Sequence, residues 1–516
     1  MHRLICLVLC LWLPIAQAEI ALPEIGDASG GLLSEQLEQR IGVSFMRQVR
    51  QSMPVLDDPL SANYVDGLGQ RLSRNSGDGQ RGFEFFVVID PTLNAFAGPG
   101  GYIGVNSGLI LTTRSEDELA SVLGHEIAHV TQRHLPRAFE HQQRMTMPTI
   151  AAMLGAIILG AYGGGDAGVA AITAVQAGAV QNQIDFTRQN ESEADRISIQ
   201  TVAASGFNPQ AMADFFERMH QASRFSAGEQ LPGFLRTHPV TLDRVAESRD
   251  RALGLPGRRL PDSGMFAHMR ERVRVLTAAG PAVALRHYEQ TAMPGEALAA
   301  RAWRYGKMLA LMRAGRTEEA AEALAALQRS ADDFLPYRVA QVELAMANNQ
   351  PAAASAQARE LLKLYPANAA LMTLLGEAEL RVGHGAVTRA LLGSEAHRPH
   401  PAPPVLELLA RAAEQRGDKI EAYQMRAEYH VQNGRLELAM EQLRRASKLQ
   451  PIAFAQLATI EARLRQLQDD LEFERQFFGR RALTVKAARP GTTVRHRSRR
   501  TRAGDDRPGR PALGKG

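Results

Sequence analysis

The run Gly124-His125-Glu126-Ile127-Ala128-His129 holds two histidines four residues apart with a glutamate between them. On a helix that spacing puts both imidazoles on one face, where they can hold a single metal ion. Glu126 stands beside them, placed to take a proton from a water that the metal activates. This is the H-E-x-x-H pattern of a zinc hydrolase. A bland helix can also carry five such residues, so the pattern needs partners elsewhere. One candidate set is TRQNESEADRISIQTVAASGFNP, where Glu191 and Asp195 are one helical turn apart. One of these carboxylates can complete a metal site, and the other can accept a hydrogen bond from a ligand imidazole and fix its tautomer. Glu193, two positions on from Glu191, points elsewhere. The plain alternative is an acidic helix start favoured by the helix dipole. A further polar cluster, Arg236-Thr237-His238-Pro239 with Asp243-Arg244, marks a loop-to-helix boundary.

These groups need elements to carry them. Ser115 with Glu118 reads as a capping box, and Leu119, Val122, Leu123, Ile127 and Val130 give the following helix a packed face. Upstream, FEFFVVID (83–90) reads as a strand, and residues 94–105 as two short strands around Gly98-Pro99-Gly100-Gly101. An edge strand there could pair with an extended peptide, or the segment could be an ordinary hairpin. Residues 33–72 show helical periodicity broken near Met53-Pro54, as expected of helices covering a catalytic core. The span from Met147 to Val180 is apolar, rich in small residues and split by Gly163-Gly164-Gly165-Asp166. Neither half reaches the roughly 20 residues a membrane span needs. It reads as a buried helical hairpin, or as a loop that touches membrane or covers the site.

The 516 residues suffice for two or three domains. Residues 1–18 read as a secretory signal: His2 and Arg3, the apolar run from Leu4 to Leu13, then Ala16-Gln17-Ala18 before Glu19. Cys6 and Cys10 both fall inside it, so any metal held by the mature chain depends on His, Asp and Glu. The formal charge is +5, yet the twelve basic and two acidic residues after Gly479 leave the rest of the chain acidic. The tail 479–516, rich in Gly, Pro and Arg, has little to bury and reads as disordered, solvated or in contact with anionic lipid or polysaccharide. Nothing in the body suggests a nucleic-acid site.

The C-terminal half carries a period. Gly315, Asn349, Gly383 and Gly417 recur every 34 residues, and Ala320, Ala354, Thr388 and Ala422 keep step. That is the spacing of tetratricopeptide repeats, helix pairs that stack into a partner-binding surface. Gly434 comes early, so one helix is shared or unpaired, and His397-Arg398-Pro399-His400-Pro401 should open a longer loop in the third repeat.

HEIAH, ESEAD and THPVTLDRVAE together resemble the zinc metallopeptidases related to the CaaX prenyl protease and HtpX, and NAFAGPGGYIGVNSGLI matches the segment those enzymes place before the metal helix. The resemblance runs from about residue 33 to 470 and implies one Zn2+ per chain held by His125, His129 and Glu191. Glu126 would be the general base, with Asp195 behind the ligands. His238 would approach from a separate loop, either stabilising the oxyanion or taking the fourth zinc position and holding the enzyme off; a helix-capping role is its plain alternative. Arg244 would fix that loop through an acidic partner, and His134 and His141 would be bystanders.

The expected fold is α+β and mostly helical. A zinc metallopeptidase domain (19–275) with a small sheet precedes an α-solenoid of tetratricopeptide repeats (297–470). Exported family members with such an array imply periplasmic work on unfolded or stalled outer-membrane β-barrel proteins and their assembly machinery. Peripheral membrane contact is compatible with this. The other reading is a repeat scaffold or chaperone with a latent protease held off by His238.

Overall fold

A computed structural model describes residues 34–77, 82–141, 147–161, 180–225, 233–255, 261–330 and 333–478. The expected signal (1–18), the second half of the apolar span and the basic tail (479–516) lie outside the described residues.

Helices α1 (Glu35–Ser52) and α2 (Pro59–Ser73) lead into β1 (Glu84–Val88), β2 (Ala95–Ala97) and β3 (Tyr102–Asn106). The sheet order is β1-β3-β2: β2 and β3 are antiparallel around the Gly-Pro-Gly-Gly turn, and β1 joins β3 in parallel. Alternation between two buried faces explains the unbroken apolar run 85–88 of β1. Phe85 and Val87 pack into a core with α2 (Val65, Leu68, Leu72) and with Leu119, Val122 and Ile127 of α4 (Glu116–Thr131). Phe86 and Val88 enter the opposite core, with Ile41, Phe45 and Val49 of α1. The first half of the apolar span joins that second core as α6 (Met147–Ala161), through Ile150, Leu154 and Ile158. Among the described residues no helix is long and apolar enough to cross a membrane.

Between β3 and α6 lie α3 (Ser107–Thr112), α4 and α5 (His134–His141). After α6 come α7 (Val180–Ala204), α8 (Ala211–Phe225), α9 (Gly233–Thr237), α10 (Leu242–Leu253), α11 (Met265–Thr277) and α12 (Pro281–Gln290). α11 serves three cores at once. Phe266 and Val273 face the core between the sheet and α4, while Met269 and Val275 enter cores of the helices that follow.

Those helices run as α13 (Ala297–Arg313), α14 (Thr317–Gln328), α15 (Leu335–Ala347), α16 (Pro351–Leu364), α17 (Ala369–Arg381), α18 (Gly385–Leu392), α19 (Pro403–Gln415), α20 (Lys419–Gln432), α21 (Leu436–Ser447) and α22 (Phe454–Phe478). Gly315, Asn349, Gly383 and Gly417 each sit in a left-handed turn between paired helices, with φ of 78, 54, 88 and 78°. Only glycine adopts this conformation without strain, and asparagine follows, which accounts for the periodic residue types. Ala320, Ala354, Thr388 and Ala422 are buried where the paired helices cross. Gly434 is left-handed as well, so α20 is shared between two turns. A side chain at Gly434 would run into the Arg47 carbonyl and Gln51 of α1, so the off-period turn is also where this array rests on α1. The loop opened in the third repeat likewise reaches the sheet, with His400 Nε2 3.2 Å from the Tyr102 hydroxyl.

Two buried polar joints fasten the two halves. Arg272 of α11 pairs with Asp58, the N-cap of α2, at 2.6 Å and with Glu343 of α15 at 2.5 Å. Nearby, His268 lies 2.7 Å from the Gly264 carbonyl and 2.9 Å from the Tyr337 hydroxyl. Burial pushes His268 down from 6.5 to about 4. Its neutral form is therefore the one the fold favours. The contribution is complete above pH 6.5 and is lost as the pH falls toward 4, up to roughly 3 kcal/mol for a shift of this size. His268→Gln should flatten the acid limb of stability across that window, measured by denaturant midpoints at stepped pH; an unchanged slope would contradict it.

Candidate metal centre

α4 starts where Ser115 caps it, accepting the Glu118 N–H. The reciprocal half of the expected capping box is shifted by one residue: the Glu118 carboxylate accepts from Arg114 N at 2.7 Å and also pairs with Arg218. α7 crosses α4 closely because residue 124 is glycine; a Cβ there would meet Ser198 Oγ at 2.7 Å. Ser198 Oγ donates to the Ser121 carbonyl at 2.9 Å, which sets the register of the two helices. That crossing brings Glu191 and Asp195 of α7 beside His125 and His129 of α4.

Four donors then converge. His125 Nε2 lies 3.0 Å from His129 Nε2, 3.2 Å from His238 Nδ1 and 3.3 Å from Glu191 Oε2. Glu191 Oε1 is 3.4 Å from His129 Nε2 and 3.0 Å from His238 Nδ1. In a tetrahedral zinc site with bonds of 2.0–2.1 Å, neighbouring ligand atoms stand about 3.3 Å apart, so His125, His129, Glu191 and His238 fit such an ion. The electrostatics fit as well. Burial resists charge on both ligand-like imidazoles, yet hydrogen bonds donated by His125 to Asp195 and Glu191 push it up to about 10. His129 is held down to about 3. Glu191 is buried, but His238, His125 and His129 around it keep its carboxyl well below the usual range. Three imidazoles meet on this one buried carboxylate. Such a cluster suits a metal cation better than protons.

Asp195 Oδ1 lies 3.0 Å from His125 Nδ1. Arg244 grips the same carboxylate at 2.7 and 2.8 Å, reaches Glu191 Oε2 at 3.1 Å and donates to the Pro239 carbonyl at 2.7 Å. One guanidinium thus ties α7 to the loop that carries His238. Burial opposes the charge on Asp195, and Arg244 beside it overcomes this and holds the carboxyl below its ordinary value. Glu126 is 1% exposed; its Oε1 lies 3.5 Å from His238 Nε2, and the Ala97 N–H of edge strand β2 also reaches its carboxylate. Burial raises the Glu126 pKa against the pull of His238 and His125.

Glu193 lies where the sequence put it and His134 does not. Glu193 stays outside the cluster, bonded to His134 at 3.2 Å and Arg137 at 3.0 Å. His134 is no bystander: its Nδ1 lies 2.8 Å from His129 Nδ1. Five residues beyond His129 it is off any helical face, and only the break after α4, with Arg133 left-handed at φ 53°, turns it back. A residue pattern carries no signal for that turn. The side chain of His141 lies outside the described residues.

Residues 59–252 match peptidase family M48, which makes the chain a metallopeptidase. Over 457 residues it is 33% identical to the β-barrel assembly-enhancing protease of Escherichia coli (strain K12), covering 88% of this chain and 93% of that protein. The corresponding protease of Yersinia pestis is 32% identical over 451 residues, covering 87% and 92%. A Vibrio cholerae relative of like description is 46% identical over 255 residues, covering 48% of this chain and, with 52%, about half of that relative. The chain belongs to the β-barrel assembly-enhancing proteases of family M48.

Proposed function

We propose that the chain is an exported endopeptidase that holds one Zn2+ per chain at His125, His129 and Glu191 and acts on outer-membrane β-barrel proteins, unfolded or stalled in assembly. The observation that carries this is the convergence of the His125, His129, Glu191 and His238 donor atoms on one point beside the buried carboxylate of Glu126. When bound there, zinc supplies the Lewis acidity that brings water near a pKa of about 7 and polarises a carbonyl. Glu126 takes the proton of the attacking water and passes it to the leaving amine; its burial favours holding that proton in between. Asp195, braced by Arg244, keeps His125 in the tautomer that leaves Nε2 bare. β2 is an edge of the sheet next to Glu126, so an extended client can add there as a further strand.

The helical array, read as tetratricopeptide repeats, recruits clients and their assembly machinery. The site of action is the periplasm. The direct test incubates the purified protein with an unfolded β-barrel protein, with and without a chelator. Cleavage that survives full metal removal would sink the reading.

A second reading has its own support. His238 Nδ1 lies as near to Glu191 and His125 as the other donors do, so it can fill the fourth position and keep the peptidase latent. Removing it should then raise cleavage. His238→Ala is expected to gain about tenfold if the closed form outnumbers the open one by that ratio, measured as initial rate on an unfolded client. Loss of cleavage would instead make His238 a group that stabilises the oxyanion.

A further inference from the structure

We propose that His134 is a positioning residue of this centre: it fixes the tautomer and orientation of His129 and relays to it the restraint that Glu193 supplies. This rests on the reading of His125, His129 and Glu191 as metal ligands.

His129 directs Nε2 into the cluster, 3.0 Å from His125 Nε2 and 3.4 Å from Glu191 Oε1. A ligating nitrogen must be bare, so the imidazole proton sits on Nδ1 and needs an acceptor. His134 Nδ1 stands there at 2.8 Å. To accept, His134 must carry its own proton on Nε2, and that nitrogen faces Glu193 Oε2 at 3.2 Å. Glu193 in turn accepts from Arg137 at 3.0 Å. Every donor in this chain meets an acceptor, and the order of protons is set from the outside inward. The two rings meet edge to face, centroids 4.8 Å apart and planes at 77°. The left-handed Arg133 between them spends backbone strain to make that contact.

The two histidines of α4 are therefore held differently. His125 meets a carboxylate directly, and that carboxylate is buried with Arg244. His129 meets a neutral ring, and the negative charge lies one imidazole further out, on Glu193, whose side chain is 30% exposed. A second buried anion against the cluster is thereby avoided while the His129 tautomer is still fixed.

The test is zinc affinity of the purified full chain by competition with a chromophoric chelator, alongside the thermal midpoint in excess chelator. His134→Ala should weaken zinc by about 10–100-fold, as loss of a ligand's hydrogen-bond partner does, with the metal-free midpoint unchanged. His134→Asn, whose Oδ1 can still accept from His129, should recover most of the loss. Glu193→Ala should weaken zinc in the same direction, by less. Parental affinity in His134→Ala, or equal loss in His134→Ala and His134→Asn, overturns the proposal. Should His134→Ala fail to fold, parental affinity in Glu193→Ala overturns it. His129→Ala separates the two layers. Loss there without loss in His134→Ala defeats the relay alone; parental affinity in His129→Ala defeats the ligand reading and the relay together.

Discussion

Glu126→Gln should lower kcat for an unfolded β-barrel client by at least about 10²–10⁴, the range a positioned acid–base group supplies. Zinc content and thermal midpoint should stay at their parental values. The substitution keeps the size of the side chain, and its amide oxygen can still accept the Ala97 N–H that Glu126 receives. What it removes is the ability to carry a proton. Fold should be indifferent, because burial already works against the charge on Glu126 and a neutral group sits there at no greater cost. Metal content by elemental analysis, together with cleavage rate, separates the two effects. Full activity in this variant would remove Glu126 from the chemistry; loss of zinc along with activity would make it a structural group.

Arg272→Met should cost about 3–5 kcal/mol, as when one partner of a buried ion pair is removed. The side chain is 5% exposed, and its guanidinium holds Asp58 and Glu343 at once, with the Tyr305 hydroxyl at 3.3 Å. Arg272 is kept charged, well above its usual range: burial opposes this, and Glu343 and Asp58 outweigh it. Methionine would fill much of the volume but strand two carboxylates. Adding Asp58→Asn and Glu343→Gln to Arg272→Met should therefore recover a good part of the stability, read as the denaturant midpoint. A triple variant no better than the single one would show that packing, not pairing, is what Arg272 provides.

The sequence was legible wherever local chemistry dictates residue type. The left-handed turns at Gly315, Asn349, Gly383 and Gly417 require glycine or asparagine, so the repeat showed itself as a period. The cap at Ser115 and the apolar stripe of α4 were equally readable, and the α+β, mostly helical class followed from such elements. The parallel pairing of β1 with β3 was not, since a strand buried on both faces gives no cue to its neighbour. His134 escaped because its place depends on one backbone angle at Arg133. Arg244 needed an acidic partner that spacing could not single out, and Asp195 and Glu191 both meet it.

The last helix, α22, returns to the start of the described chain: Arg47 of α1 reaches Asp470 at 2.9 Å and Glu474 at 3.0 Å, and Phe477 enters the core shared with α6. With α11 pinned at its other end, the helical array is clamped like an arch between two abutments rather than left free like a spring. A pull on the array therefore meets a fixed point at each end. The load passes through Arg47 and Arg272 into α1 and α2, the helices that brace the sheet beside Glu126.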